Sequence, residues 1–97
     1  MRKKLDPNEI SQRMTSLPDW KVENDRLARA FSFPDFKSAL DFVNRAGAVA
    51  EEMGHHPDIQ LGWGRAAFEI TTHDAGGITA NDFELARRID SLAGAVK

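Results

Sequence analysis

An alternation of helical and strand patterns along the chain is the feature that most constrains its fold. Three segments with apolar residues at three- and four-residue spacing are separated by two pairs of short strand patterns, each with turn-forming residues at its centre. With 97 residues, the chain has room for one domain. We therefore predict a single α+β domain over residues 1–97. It is a two-layer sandwich in which three helices cover one face of a four-stranded antiparallel sheet, in the order helix, strand, strand, helix, strand, strand, helix.

Start and stop signals delimit the three helices. Asp6 followed by Pro7 and Glu9 is typical of a capping box, and Pro18 is expected to end the first helix. Pro34-Asp35 opens the second helix, Gly54 ends it, and a further capping box over 79–82 opens the third. The side chains expected to face the core are Ile10, Met14 and Leu17 in the first helix, Phe36, Ala39, Leu40, Val43, Ala46, Gly47, Ala50 and Met53 in the second, and Phe83, Ala86, Ile89, Ala93 and Val96 in the third.

Two tight turns predict the two hairpins. Asn24-Asp25 joins strands over 20–23 and 26–33, since both residue types tolerate positive φ angles. In the second hairpin, Gly64-Arg65 is taken as the loop. The predicted pairs are then Trp63 with Ala66, Leu61 with Phe68 and Ile59 with Ile70. Extending this register places His73 opposite His56, at the open end of the hairpin.

Composition and charge exclude several classes of function. The net charge is −2, and the only basic run is Arg2-Lys3-Lys4, so no nucleic-acid partner is expected. The sequence contains no apolar run long enough to span a membrane and no apolar amino-terminal stretch, which favours a cytoplasmic protein without a membrane partner. Because the chain has no cysteine, disulfides, thiolate catalysis and sulfur-ligated metals are excluded.

All three histidines fall in one window, 51–82, which indicates proton-transfer chemistry. His55 and His56 are adjacent, just past the predicted end of a helix, and His73 follows the second hairpin. Imidazole is the side chain that changes charge near neutral pH without help from its surroundings. The alternatives are a dipole partner or polar plug at the helix end and a metal site. A metal site is disfavoured because adjacent imidazoles point in divergent directions. The pair is therefore expected to contact different parts of a bound molecule.

The neighbouring residues also have structural interpretations. Asp82 stands at the third helical position of a capping box, which favours an acidic residue regardless of function. Glu51 can be a solvated helix residue, and Trp63 is interpreted as core or rim packing. Thr71 and Thr72 are good strand formers.

One family resemblance connects these residues. Glu51-x-x-x-His55-His56-Pro57, followed by five residues to Trp63, nine to His73 and eight to Asp82, resembles the signature of the pterin-4a-carbinolamine dehydratases, also known as the dimerisation cofactor of a homeodomain transcription factor. The segments 71–77 and 82–86 and the element order resemble that family over almost the whole chain. The resemblance implies dehydration of 4a-hydroxytetrahydropterin to quinonoid dihydropterin, which recycles tetrahydropterin after an aromatic amino acid hydroxylase has turned over.

The resemblance also implies roles for individual residues. His55, His56 and His73 match the catalytic histidines, with one of the adjacent pair as acid and His73 as base or orienting partner. The substrate-binding residues it implies are Glu51, Gly54, Pro57, Thr71, Thr72, Asp74 and Asp82. It implies no cofactor and no metal, since pterin is the substrate, and it implies a homodimer or homotetramer.

Two residues depart from the family pattern, and two other functions stay open. Gly54 stands where family members often carry Asp, and Trp63 where Tyr is also common. The rival interpretations are a non-catalytic module that binds a partner protein and another pterin-related activity.

Overall fold

Three helices and a four-stranded antiparallel sheet form the domain, as the sequence predicts. The structure is a computed structural model that describes residues 3–95. Its elements are α1 Pro7–Met14, β1 Lys21–Glu23, β2 Arg26–Ser32, α2 Phe36–Met53, β3 Asp58–Gly62, β4 Arg65–Ile70 and α3 Ala80–Ala95, with a 3-10 turn at His73–Ala75. Within the described range, no helix is both long and apolar enough to cross a membrane.

The first helix begins as predicted and ends earlier than predicted. Oδ1 of Asp6 accepts a hydrogen bond from the backbone N–H of Glu9 (2.9 Å), and the Glu9 side chain accepts one from the Asp6 N–H (3.3 Å), which completes the capping box. The helix ends at Met14, before Pro18, with Thr15 as its cap. The Thr15 hydroxyl donates to a carbonyl of the last turn, which helps to close the helix there. Leu17 is buried as expected, but it lies in the turn that follows.

In the second helix, the face that meets the sheet differs from the predicted one. Phe42, which the prediction omitted, is fully buried, whereas Phe36 and Leu40 are 44% and 37% exposed. Apolar residues occupy two adjoining stripes of this helix, and spacing alone does not decide which stripe packs. The sheet takes the stripe formed by Ala39, Phe42, Ala46 and Ala50. In the third helix, Phe83, Ala86 and Ile89 are buried as predicted, joined by Leu85, and Val96 lies outside the described residues.

The strand order in the sheet is β1-β2-β4-β3, which the sequence did not reveal. At the first turn, Asn24 and Asp25 have φ angles of 51° and 60°, as predicted. The inner face of the sheet contributes Phe31 and Phe68, whose rings pack against Phe42 with centroids 4.8 and 5.8 Å away. This aromatic cluster is the centre of the core, and α2 and α3 cover it.

The predicted register of the second hairpin is wrong by two residues. The loop is Trp63-Gly64, so that Leu61 pairs with Ala66 and Ile59 with Phe68. Gly64 takes the positive φ angle of the turn (71°) and packs so closely that a Cβ there would lie 2.9 Å from the Phe33 carbonyl oxygen. A shift of two keeps every side chain on its predicted face, which is why the hydrophobic pattern did not detect the error. Trp63 is 74% exposed at the turn, so its interpretation as packing is also wrong.

Candidate functional site

All three histidines line one open cleft of about 290 Å³. We call it the histidine cleft; its lining residues are Gly54, His55, His56, Thr71, His73 and Asp74. The end of α2 supplies the adjacent pair, and the 3-10 turn after β4 supplies His73. The ladder pairing predicted between His56 and His73 is not made, because β4 ends at Ile70 and the true register places residue 71 across from residue 56. The turn after β4 nevertheless returns His73 to the same cleft.

The end of α2 sets the directions of the adjacent histidines. Gly54 has a φ of 62° and ends the helix in the left-handed conformation, while the His55 N–H still reaches the Ala50 carbonyl (3.1 Å). After this turn, His55 is buried, with 5% of its surface exposed, whereas the side chain of His56 is 59% exposed. The two rings point apart, as predicted for adjacent residues.

His55 is held from inside the protein by Asp82. The Nε2 of His55 lies 2.5 Å from Oδ1 of Asp82, whose side chain is fully buried. Oδ2 of the same carboxylate accepts the backbone N–H of Thr79 (2.7 Å) and the hydroxyl of Thr72 (2.9 Å). Asp82 therefore caps α3 by accepting the Thr79 N–H, as predicted for the acidic residue of a capping box. The same carboxylate also binds His55 of the cleft.

The Thr79 hydroxyl extends this network by one hydrogen bond. Oγ1 of Thr72 and Oγ1 of Thr79 are 2.9 Å apart. A hydroxyl has one hydrogen to donate, and that of Thr72 goes to Asp82, so Thr79 is the donor in this contact. We call Thr72, Thr79 and Asp82 the buried relay. The backbone of Thr72 is fixed as well, through an antiparallel bridge to Gly77.

His56 and His73 lie on the solvent side of the cleft. The Nε2 of His56 contacts the carboxylate of Glu51, one helical turn upstream, in an ion pair whose partners are both mostly exposed. Among residues 3–95, the ring of His73 has no hydrogen-bond partner, and the residue is exposed. The Thr71 hydroxyl donates to the Asp25 carbonyl (2.9 Å), which fastens this wall of the cleft to the first hairpin.

Comparison with known proteins identifies the family. A family model described as pterin 4 alpha carbinolamine dehydratase matches residues 3–92. The chain belongs to that family. A provisionally named pterin-4-alpha-carbinolamine dehydratase of Thermosynechococcus vestitus is 45% identical over 93 residues, covering 96% of this chain and 98% of the relative. A protein of the same provisional name from Rubrobacter xylanophilus is 46% identical over 89 residues, covering 91% and 83%.

Two solved structures of the dehydratase type share the fold. The crystal structure of a transcriptional coactivator/pterin dehydratase from Brucella melitensis superposes with a TM-score of 0.90 at 28% identity, covering 94% of this chain and 99% of that one. A pterin dehydratase-like protein identified as a RuBisCO assembly factor in the alpha-carboxysome gives a TM-score of 0.64 at 25% identity, covering 77% and 87%.

The residues predicted to bind substrate in this dehydratase-family chain divide into two groups. Gly54, Thr71 and Asp74 line the histidine cleft, and Glu51 contacts His56 beside it. Pro57 is not among the lining residues, and the side chains of Thr72 and Asp82 are buried in the relay behind His55. Sequence reasoning treated Thr79 only as part of a capping box. Its spacing to Asp82 was the available signal, but its contact with Thr72 depends on the tertiary fold.

The histidine cleft brings together side chains that can transfer protons. No three histidine or acidic side chains within the described range are grouped so that they could hold a metal ion. Two further cavities, a trough of about 230 Å³ on the outer face of the sheet and a groove of about 450 Å³ beside β2, contain no histidine. The histidine cleft is therefore the candidate site for chemistry.

Proposed function

We propose that this protein removes water from a 4a-hydroxytetrahydropterin to give the quinonoid dihydropterin, by exchanging protons between the substrate and the histidine cleft. The observation that carries the proposal is that imidazoles from two separate segments border one open space. Family membership supports the same chemistry. A cleft of about 290 Å³ is at the small end of small-molecule sites, a size suited to a flat bicyclic ring.

The reaction needs one proton donor and one proton acceptor. The bond between C4a and its hydroxyl oxygen breaks, and the departing hydroxyl takes a proton from an acid and leaves as water. A base removes the proton from N5, and the electrons of the N5–H bond form the double bond between N5 and C4a. No electron leaves the substrate, so we propose that no redox cofactor takes part. Imidazole can serve in either role near neutral pH.

The positions of the histidines support a division of labour among them. His56 and His73 are exposed toward the cleft and can approach a ring bound between them. Positive charge develops on the pterin as the hydroxyl departs, and the carboxylates of Glu51 and Asp74 lie at or beside the cleft, where they favour such charge. His55 approaches the substrate from the buried side.

We also propose that the protein recycles tetrahydropterin for an aromatic amino acid hydroxylase and that it works as a homodimer or homotetramer. Self-association is supported by the second apolar stripe of α2, where Phe36 and Leu40 are 44% and 37% exposed. Sedimentation of the purified chain tests it. A Phe36→Glu, Leu40→Glu double variant should sediment as a monomer, and a monomeric wild type would reject this part of the proposal.

An absorbance assay with chemically prepared 4a-hydroxytetrahydropterin tests the activity. Wild-type protein should accelerate loss of the carbinolamine, and His56→Ala and His73→Ala should each lose about 10²- to 10⁴-fold in rate, the usual contribution of a positioned acid or base. Asp41→Ala, exposed on α2, is the matched control and should keep the wild-type rate. Equal rates with and without wild-type protein would reject the dehydratase proposal.

A non-catalytic partner-binding module is the second candidate. It is favoured by the pterin dehydratase-like RuBisCO assembly factor, which shares the fold. The same assay separates the two, since a module that only binds a partner leaves the decay of the carbinolamine unchanged.

A further inference from the structure

We infer that the buried relay of Thr72, Thr79 and Asp82 holds Nε2 of His55 in a hydrogen bond inside the protein. Nδ1 is then the nitrogen that exchanges protons in the histidine cleft. The inference rests on the proposed function and assigns Thr72 and Thr79 as positioning residues. It follows from counting donors and acceptors around a carboxylate that has no solvent exposure.

The first step is that Asp82 holds Nε2 in a hydrogen bond. Oδ1 of Asp82 lies 2.5 Å from Nε2 of His55. A carboxylate only accepts hydrogen bonds, so Nε2 carries the hydrogen in this contact. Because both groups are buried, breaking the contact would leave a buried polar atom without a partner, which is costly. The ring is thereby held in one tautomer, as a carboxylate holds the imidazole in other histidine sites.

The second step locates Nδ1. Within the described residues, no buried side-chain nitrogen or oxygen lacks a hydrogen-bond partner. Among residues 3–95, the hydrogen bond of the His55 ring is made by Nε2, so we infer that Nδ1 reaches solvent. His55 lines the histidine cleft and is otherwise enclosed, so that cleft is where Nδ1 opens. When the ring is neutral, Nδ1 presents a lone pair to the substrate; when the ring is protonated, Nδ1 presents a hydrogen.

The third step gives the threonines their role. Oδ2 of Asp82 is occupied by the Thr79 N–H and the Thr72 hydroxyl, which leaves Oδ1 for His55. The Thr79 hydroxyl donates to Thr72 and thereby keeps the hydrogen of Thr72 directed at Asp82. The relay thus joins the end of β4, the start of α3 and the turn after α2, the segments that carry the cleft. His56 has no such support, because its carboxylate partner is exposed.

Nitrogen NMR of the full-length chain with ¹⁵N-labelled histidine tests the inference without substrate. In wild type above neutral pH, the His55 ring should show hydrogen on Nε2 and none on Nδ1. In Asp82→Asn, the Thr79 N–H and the Thr72 hydroxyl should hold the amide oxygen at the position of Oδ2, so the amide NH2 should face Nε2 and the hydrogen of the neutral ring should move to Nδ1. Thr79→Val leaves the contact with Oδ1 in place and should keep the wild-type tautomer. Hydrogen on Nδ1 in the wild type, or an Asp82→Asn spectrum equal to wild type, would overturn the inference.

Kinetics with 4a-hydroxytetrahydropterin supply a second, independent readout. Thr79→Val should lower kcat about 10-fold with little change in KM, the scale seen when an outer partner of a functional histidine is removed, and Thr79→Ser should recover the loss. An equal loss in both variants would contradict the relay. If wild-type protein shows no dehydration, the proposed function fails while the NMR result still decides the state of His55. If the enzyme is active but the tautomer is the other one, only the relay fails.

Discussion

The two histidine–carboxylate pairs of the site should differ sharply in what they contribute to stability. The pair of His55 and Asp82 is buried, whereas that of His56 and Glu51 is mostly exposed. The informative perturbation is removal of each carboxylate in turn, by Asp82→Ala and by Glu51→Ala. Both substitutions remove one acidic side chain, so the comparison sets a buried carboxylate with several hydrogen bonds against an exposed carboxylate with one histidine contact.

The magnitude for Asp82→Ala follows from the donors it leaves behind. In the part of the chain that the structure describes, three hydrogen bonds end on this carboxylate, from the His55 ring, the Thr72 hydroxyl and the Thr79 N–H. A buried donor without a partner costs about 1–3 kcal/mol, so three give about 3–9 kcal/mol. Water entering from the nearby cleft relieves part of this, and we expect about 3–5 kcal/mol, the range for breaking a buried pair. Total stability for a domain of this size is about 5–15 kcal/mol.

Urea unfolding followed by far-ultraviolet circular dichroism measures the difference. Asp82→Ala should lower the free energy of unfolding by about 3–5 kcal/mol, and Glu51→Ala by about 0–1 kcal/mol, as for an exposed ion pair. The reasoning would be refuted by a loss below about 1 kcal/mol for Asp82→Ala or by equal losses in the two variants.

Three further predictions concern the backbone and the caps. The backbone N–H of Ser38 donates to Asp35 and holds the pKa of that carboxyl below its ordinary value of 3.8. The hydrogen bond should therefore contribute its full stability to the fold above pH 3.8 and lose it as the pH falls through the lowered pKa. Acid titration of the unfolding midpoint should show less of this loss in Asp35→Asn, and identical acid limbs would contradict it. Gly54→Ala should cost about 1 kcal/mol through the positive φ alone, since a Cβ there meets nothing within 4 Å; an unchanged urea midpoint would count against it. Asp25→Gly should gain a few tenths of a kcal/mol, because glycine suits the second position of this turn, and a loss in the same measurement would show that another contact of Asp25 matters more.

Local signals predicted the elements well because each is decided by a few neighbouring residues. The capping box at Asp6, the left-handed Gly54 and the turn at Asn24-Asp25 all appear in the structure as the sequence indicated. Each depends on backbone geometry that a short segment determines by itself.

Features for which the sequence is compatible with two similar structures could not be predicted from it. The second hairpin is compatible with a loop at Gly64-Arg65 or at Trp63-Gly64, and the structure has Trp63-Gly64, where Gly64 packs closely against Phe33. Two apolar stripes were available on α2, and the sheet selects the one with Phe42. The contact between Thr79 and Thr72 joins residues on different elements, so no local pattern specifies it.

Binding of an oxidised, non-reacting pterin, followed through the imidazole NMR signals of the labelled protein, tests the central claim most directly. If imidazoles from both segments surround one ring, a single saturating titration should shift the signals of His55, His56 and His73 together. Shifts confined to one segment, or signals that stay unchanged while the pterin binds elsewhere on the protein, would contradict the account.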